Sequence, residues 1–301
     1  MKLSQKTIFV RVKGGLGNQL FQYALWIRIV NHYPDAKVIF DCSRLSTGTR
    51  SFDLEKLGFE TPIQNVSFLQ DRIAKYSRML HLNGLNRMVG TPSFIFESDV
   101  DGFDSLCDSI NQTNSCIIDG YWQRSDIHSG VIKEISESVY QFQPKNALSL
   151  KMQELAKNAI AVHIRLDDYQ LPENKIIFKE MQTDYFINAI SHFAAQNQKQ
   201  QVVIFSDSPE NVFKVHPALS RLDCLFAKDF CKNHIEEFLW MKDFNQVVIS
   251  NSTFSYWSST LVEESIPKKR VFPVDFFCSP SRNELYKKGE LFSFNGEIEF
   301  F

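Results

Sequence analysis

The side chains best suited to chemistry follow an apolar run of strand length. Residues 159–164 are Ala-Ile-Ala-Val-His-Ile, and Arg165, Asp168 and Tyr169 come directly after it. Such a run predicts a buried parallel strand, and ligands of open α/β sheets bind beyond the carboxyl ends of the strands. An arginine there could hold a phosphate. The alternative, a loop of solvated charges, explains Asp167 but explains His163 and Arg165 less well.

A glycine turn links the first apolar strand to a helix. Residues 14–19 are Gly-Gly-Leu-Gly-Asn-Gln, and such a turn lets the backbone approach a phosphate at a helix N-terminus. The dinucleotide fingerprint fails because Leu20 takes its third glycine position, and no Lys-Ser/Thr pair completes a Walker motif. Gly15, Gly17 and Asn18 are therefore candidate ligand-binding residues. A tight turn that needs a positive φ is the alternative.

Two further strand-to-helix junctions carry polar groups. Ser252, Thr253 and Ser255 stand where hydroxyls and free N–H groups could hold an anion, although helix capping would also explain them and both can hold. Asp207 follows another apolar run and could bind a ribose or a base. A turn or a helix-initiating role explains Asp207 about equally well.

No metal site is predicted. The Asp99-Val100-Asp101 stretch resembles a metal-binding DxD but lies between Pro92 and Gly102, which favours a solvated loop. No His/Asp/Glu cluster has metal-ligand spacing, there is no nucleophile elbow, and the six cysteines form no CxxC pair.

The composition indicates a folded protein that is not dedicated to nucleic acid. The chain has 301 residues, 44% of them hydrophobic, and a net charge of −2, so no polyanion-binding surface is indicated. No signal peptide precedes the first strand, and no apolar run reaches the ~20 residues that span a bilayer. We therefore expect a cytoplasmic protein without a transmembrane segment.

Strands alternate with helices along the chain, which predicts parallel sheets built from βαβ units. A helix from Gln19 to about His32, strands at 8–12, 38–41 and 116–119, and a helix from about Ile127 to Val139 precede a hinge predicted at 143–146. Beyond the hinge we expect strands at 160–164, 201–205, 246–249 and 270–272. The fold class is α/β, with two Rossmann-like domains facing a cleft and bounds of 1–145 and 146–301. Residues 43–115 and the tail from Asn283 stay without a clear assignment.

Four segments together resemble the bacterial α1,2-fucosyltransferases. Residues 14–24 are similar to the amino-terminal signature of that family, and 120–123 to its GY[FW]Q motif. Residues 163–169 resemble HxRRxDY, and 251–257 resemble NS[ST][FY]SWW. Asp207 falls in a segment similar to FSDDPEW. Two departures stand out: Leu166 replaces the second arginine of HxRRxDY, and Asp167 replaces the usual glycine.

The resemblance implies inverting transfer of L-fucose from GDP-L-fucose to the 2-hydroxyl of a terminal galactoside, without a metal or a resident cofactor. It implies a C-terminal donor domain and an N-terminal acceptor domain. Arg165 resembles the diphosphate-binding arginine, and Glu237 matches by spacing a position that often carries Asp and suits guanine. His163 and Asp168 join Arg165 as candidate catalytic residues, and Asp168 and Glu173 are candidates for the acceptor base.

The expected partners are GDP-fucose and a galactose-terminated oligosaccharide of a surface polysaccharide such as O-antigen. A lipid-linked acceptor would bring the protein to the inner face of the bacterial membrane as a peripheral protein. Two alternatives stay open: a cytoplasmic transferase of another GDP-deoxysugar or linkage, and a glycan- or nucleotide-binding protein without catalysis.

Overall fold

The structure is a computed structural model. It describes residues 5–45, 50–79, 91–143, 148–167, 169, 171–195, 201–261, 268–293 and 297–301. The chain forms two compact units, Met1–Ile132 and Lys133–Phe301. The predicted boundary between residues 145 and 146, and residues 144–146 of the predicted hinge, lie outside the described residues.

The first unit is built on a parallel sheet with strand order β2-β1-β4-β3. Its strands are β1 Thr7–Arg11, β2 Lys37–Asp41, β3 Ser93–Phe96 and β4 Ser115–Asp119. Its α-helices in the described ranges are Leu16–His32, Phe68–Met79, Gly102–Asn111 and Ser125–His128, with 3₁₀ turns at Leu54–Leu57, Glu97–Asp99 and Ser129–Val131. The strand order reverses at β1, so the carboxyl end of β1 lies at a topological switch point.

The second unit contains a parallel sheet with strand order β10-β9-β8-β5-β6-β7. Its strands are β5 Ile160–Ile164, β6 Val202–Ser206, β7 Cys224–Phe226, β8 Gln246–Val248, β9 Lys269–Phe272 and β10 Glu297–Phe300. Every residue of β5 and β6 is buried, as expected for central strands covered on both faces. The chain moves outward from β5 in both directions, so β5 ends at the switch point of this sheet.

Helices connect the strands of the second unit. Within the described residues they are Ile132–Phe142, Leu150–Asn158, Pro172–Lys175, Thr183–Ala194, Val212–Val215, His234–Met241, Thr253–Thr260 and Pro280–Lys287, with 3₁₀ turns at Pro209–Asn211, Pro217–Arg221 and Ala227–Asp229. The predicted α/β class with two Rossmann-like units is confirmed. The cleft and the assignment of donor and acceptor to the two units stay predictions.

The sequence missed short strands and misplaced one helix. β3, β7 and β10 had no assignment, and the predicted helix from Ile127 to Val139 is divided by the turn Ser129–Val131. β7 and β10 are the two edges of their sheet and none of their residues is buried. β7 is only three residues long, and β10 alternates Glu with Ile and Phe, so neither has the long apolar run by which a central strand is recognised.

A buried ion cluster ties the elements of the first unit together. Arg11 is fully buried at the end of β1, and its guanidinium lies 2.8 Å from Asp41, 2.7 Å from Asp71 and 3.3 Å from Asp119. The three carboxylates belong to β2, the Phe68–Met79 helix and β4. Burial by itself would raise the pKa of Asp71, but the charge of Arg11 and of nearby lysine and arginine side chains lowers it on balance.

We expect Arg11→Met to destabilise the first unit strongly, because it leaves three carboxylates at a buried position without their shared cation. Breaking a buried ion pair on one side costs about 3–5 kcal/mol. Urea unfolding at pH 7 measures the loss. Arg44→Met is the matched control, because Arg44 pairs with the same Asp71 from an exposed position and should cost less than about 1 kcal/mol. Equal losses in both variants would contradict a central role for Arg11.

Candidate functional site

Arg165 lies directly beyond β5, at the switch point of the second sheet. Its side chain is 19% exposed, and its Nε lies 3.1 Å from Oδ2 of Asp207, which directly follows β6. The guanidinium carbon is 5.9 Å from the centre of the Tyr169 ring. The predicted position of Arg165 at a ligand-binding edge therefore agrees with the topology.

Asp207 holds the backbone next to Arg165 in place. Its Oδ1 accepts a hydrogen bond from the backbone N–H of Leu166 at 2.9 Å, and its Oδ2 accepts one from Asp167 at 3.3 Å. Together with the ion pair to Arg165, these bonds engage both carboxylate oxygens. These contacts are those of a positioning residue for Arg165, and the role of Asp207 as a ribose or base ligand stays a prediction.

His163 is buried below Arg165 and points toward the helix that follows β8. Its Nδ1 is 2.7 Å from the Ser250 hydroxyl, and its ring stacks on Phe254 with centroids 5.5 Å apart. Burial, reinforced by the charge of Arg165, lowers the pKa of His163 to about 3. The ring is therefore neutral at physiological pH, and the contacts suit a role in holding the site and not in proton transfer.

The serine and threonine side chains that follow β8 make different hydrogen bonds. Ser252 is the N-cap residue of the Thr253–Thr260 helix, but its side chain accepts no hydrogen bond from that helix. The buried Ser255 hydroxyl donates to the carbonyls of Ser250 and Ser252, so it stabilises the turn before the helix. Ser252, Thr253 and the helix N-terminus remain the groups here that could meet an anion.

Glu237 lies in the His234–Met241 helix and is electrostatically coupled to Asp207. Burial and then the negative charge of Asp207 raise the pKa of Glu237 to about 7, against an opposing effect of His234. A carboxyl that is half-protonated near neutral pH can accept or donate a hydrogen bond. Such perturbed groups are common at functional sites.

A cavity of about 320 Å³ opens beside Arg165 on the second unit. The side chains that line it are three cations, one carboxylate, several apolar groups and several uncharged polar groups. Its lining residues are Arg165, Leu166, Tyr169, Lys175, Phe178, Lys179, Glu180, Met181, Gln182, Val215, His216, Asn251 and Cys278. The volume lies within the range of small-molecule sites, and among the lining residues that the structure describes three cations against one carboxylate favour an anionic ligand.

Asn251 holds the walls of this cavity together. Its side-chain Nδ2 donates to the backbone carbonyls of Lys179 at 2.6 Å and Phe276 at 3.0 Å. Its backbone carbonyl accepts a hydrogen bond from the Tyr169 hydroxyl at 2.5 Å. Its buried Oδ1 has no hydrogen-bond donor in the part of the chain that the structure describes. The fully buried Asn251 thereby joins three separate loops.

Sequence reasoning missed several residues of the cavity. Lys175 and Lys179 belong to no recognisable pattern, and only the fold of the loop before Thr183 brings them beside Arg165. The motif at 251–257 signalled Asn251 but not its role as an anchor. Asp168, predicted to be catalytic, lies outside the described residues, and Glu173 is exposed in the Pro172–Lys175 helix.

In the first unit, the glycine turn and the 120–123 motif meet at the carboxyl ends of β1 and β4. Gln123 donates to Oδ1 of Asn18 at 3.0 Å. The positive φ of 81° falls on Gly14, whereas Gly15 is the helix N-cap and a Cβ added there would meet no other atom within 4 Å. Gly15 therefore leaves open space at the helix N-terminus, and Gly17 is buried in the first turn.

The two glutamines of the same signature serve the fold. Gln19 is buried, donates to the carbonyls of Gly14 and Ser51, and accepts from the N–H of Asp53. Gln22 is buried and donates to the carbonyl of Gly120. Both amides are bonded to backbone groups and hold the loops around the glycine turn together.

Both aspartates of the Asp99-Val100-Asp101 stretch form ion pairs. Asp99 pairs with Arg78, and Asp101 lies 3.3 Å from Arg124. Across the described ranges, no group of three or more His, Cys, Asp or Glu side chains is arranged to hold a metal ion. None of the helices in those ranges is both long and apolar enough to cross a membrane.

Residues 98–267, more than half of the chain, match the sequence model of glycosyl transferase family 11. The chain belongs to glycosyl transferase family 11. The match contains the 120–123, 163–169 and 251–257 motifs together with Asp207 and Glu237. The family assignment predicted from these motifs is confirmed, and the protein is a glycosyltransferase.

Two Escherichia coli proteins resemble this family 11 chain over nearly its full length. One is the O-antigen biosynthesis glycosyltransferase WbnK, 24% identical and matched over 91% of this chain and 96% of its own. The other is an alpha-1,2-colitosyltransferase, 26% identical over 84% of this chain and 87% of its own. Among solved structures, the fucosyltransferase NodZ from Bradyrhizobium matches 86% of this chain and 94% of its own at 13% identity, with a TM-score of 0.47.

We expect the stability of the second unit to fall in acid because His163 is buried as the neutral ring. The unfolded histidine takes up a proton below about pH 6.5, whereas the folded one resists protonation down to about pH 3. Between pH 7 and pH 5 this difference removes about 2 kcal/mol of stability. Urea unfolding of His163→Asn, which keeps an amide near Nδ1, should show a loss smaller by that amount. An unchanged pH dependence would contradict the buried neutral state.

Proposed function

We propose that the protein transfers L-fucose from GDP-L-fucose to the 2-hydroxyl of a terminal galactoside, with inversion. The observation that carries the proposal is the cavity at the switch point of the second sheet, where Arg165, Lys175 and Lys179 converge. The diphosphate is the part of a GDP-sugar that carries the negative charge which these three cations would neutralise. We assign the donor to the second unit and the acceptor to the first.

Arg165 would hold the diphosphate while the bond to the sugar breaks. The acceptor oxygen attacks the anomeric carbon, and GDP departs with the electron pair of the glycosidic C–O bond. Charge therefore develops on the β-phosphate, where a preorganised planar guanidinium stabilises it. Asp207 keeps the guanidinium in place through the contact at 3.1 Å. Lys175, Lys179 and the N–H groups near Ser252 and Thr253 would supply further positive potential, so no metal is required.

Glu237 would recognise the base. Guanine presents an N1–H and an N2–H₂ group side by side, which a single carboxylate can accept together. Glu237 lies close enough to Asp207 for the two charges to interact, so the base would bind on the Asp207 side of Arg165. The carboxylate form is the one that this interaction needs.

The acceptor would meet the first unit at the carboxyl end of β1. The paired amides of Asn18 and Gln123 and the open helix N-terminus at Gly15 offer hydrogen-bonding groups there. Asp168 and Glu173 remain the candidates for the base that removes the proton from the acceptor hydroxyl. The name of WbnK supports a role in O-antigen synthesis.

A second donor is favoured by one observation. The relative named as an alpha-1,2-colitosyltransferase matches this chain about as well as WbnK does. Colitose differs from fucose by the loss of one ring hydroxyl, and the same diphosphate and base contacts would serve both GDP-sugars. Parallel assays with the two donors and a panel of galactosides, with linkage analysis of the products, decide between them.

We expect Arg165→Lys to lower kcat/KM for GDP-fucose by on the order of 10²-fold, with kcat falling more than the donor KM rises. Lysine keeps the charge but loses the two-pronged contact, which matters most as charge develops on the leaving phosphate. Arg221→Lys, an exposed arginine of the same unit, is the control and should keep full activity. A folded Arg165→Lys protein with wild-type kcat would overturn the proposed role.

We expect the preference for GDP over UDP to grow with pH if Glu237 binds guanine. A carboxyl with a pKa of about 7 is mostly protonated at pH 6 and mostly ionised at pH 8. The ratio of Kd for UDP to Kd for GDP should therefore rise about tenfold over that range. Using the ratio cancels the titration of the phosphates, which the two nucleotides share. In Glu237→Gln the ratio should be low and independent of pH, and a retained pH dependence would assign guanine recognition elsewhere.

A further inference from the structure

One helix of the first unit turns large apolar side chains outward. In the Phe68–Met79 helix, Phe68, Leu69, Tyr76 and Met79 are between 50% and 76% exposed. Positions 68, 72, 76 and 79 recur at the spacing of one helix side, so these side chains, with position 69 beside them, form one outward face. Single exposed apolar residues are ordinary, whereas a contiguous group marks a surface that binds something.

The opposite side of this helix fixes it to the first unit. Asp71, Ala74 and Ser77 are buried, and Ala74 belongs to a core cluster that contains Phe94. The carboxylate of Asp71 lies 2.7 Å from the guanidinium of Arg11. These contacts hold the outward face away from the core of its own unit.

The outward face also carries positive charge. Arg72 and Lys75 are both exposed. The guanidinium carbon of Arg72 lies 5.5 Å from the centre of the Phe68 ring and 5.7 Å from that of Tyr76. The arginine therefore stands among the aromatic side chains of the face, and its charge belongs to the same surface.

The acidic residue of this helix lies on the inward side. It is Asp71, which is buried and also lies 3.4 Å from Lys75. From position 72 to position 96 the sequence has four lysines and arginines and no aspartate or glutamate. Aromatic and aliphatic side chains mixed with cations are typical of helices at a membrane surface, because the apolar groups enter the headgroup region while the cations meet anionic lipids.

We propose that this outward face binds the surface of an anionic lipid bilayer, with Phe68, Leu69 and Met79 entering the headgroup region. Arg72 and Lys75 would keep their charged ends at the lipid phosphates, because their long stems can lie along apolar surface. A protein partner is a poorer match, since lysine is depleted in the cores of interfaces between proteins. The inference goes beyond the proposed function and adds a membrane location to the unit that is assigned the acceptor.

Flotation of the full chain with lipid vesicles tests this inference. Vesicles of phosphatidylglycerol and phosphatidylcholine in equal parts are compared with vesicles of phosphatidylcholine alone. We expect the protein to bind the anionic vesicles roughly tenfold more tightly or better at low salt, and to lose this preference as salt is raised.

Variants of the face separate its apolar and charged contributions. Phe68→Ser combined with Leu69→Ser should weaken binding to the anionic vesicles by roughly tenfold or more, because two apolar side chains no longer leave water. Arg72→Gln should weaken it about fivefold, which corresponds to about 1 kcal/mol for one basic residue near the bilayer.

Phe142→Ser combined with Leu150→Ser is the matched control for the apolar variant. It removes the same two kinds of side chain from the second unit, where Phe142 is 51% exposed and Leu150 is 84% exposed. Arg221→Gln, which changes an exposed arginine of the second unit, is the control for the charge. Both controls should bind the vesicles as the wild type does.

Equal binding to the two kinds of vesicle, no binding to either, or equal binding by the apolar variant and its control overturns the inference. A wild-type dimer in light scattering that Phe68→Ser with Leu69→Ser makes monomeric also overturns it, because a second copy would then cover the face. Fucosyl transfer to a soluble galactoside is measured separately on each protein. A failed vesicle experiment therefore leaves the proposed function standing.

Discussion

The carboxylate of Asp207 is the contact on which the second unit's site depends. The chain beyond β5 leaves the sheet at its switch point, where no neighbouring strand fixes it. Asp207 reaches across from the end of β6, accepts from the N–H groups of Leu166 and Asp167, and pairs with Arg165. One side chain thus satisfies two backbone donors and orients the guanidinium, which is the preorganisation that the proposed diphosphate contact requires.

Beneath this contact, the polar residues of the motifs hold the site and do little of the chemistry. His163 is neutral and bonded to Ser250, and Asn251 joins three loops through its amide and its carbonyl. In the first unit, the buried side-chain amide of Gln19 likewise joins neighbouring loops. Buried polar groups that bond to several loops at once favour one arrangement of those loops. Motif residues can therefore be essential to a site without touching its ligand.

The replacement of an arginine by Leu166 changes more than charge. Leu166 packs into the core of the second unit, so its position is set by the same contacts that stabilise the sheet. Its side chain also forms part of the cavity wall beside Arg165. Packing of the core and the shape of the cavity are therefore coupled at this residue, and a polar side chain introduced here would disturb both.

The sequence by itself determined the central strands and the place of Arg165, because both depend on local order. A fully apolar run predicts β5, and Arg165 must follow it at a ligand-binding edge. Only the tertiary structure decided which groups surround Arg165. Asp207, Lys179 and Asn251 come from separate loops, and the edge strands β7 and β10 are short segments that are defined by their pairing with β6 and β9. Contacts between residues far apart in the chain arise when strands pair and loops pack. The hydrophobic periodicity of a sequence reports local secondary structure and does not show which distant residues come into contact.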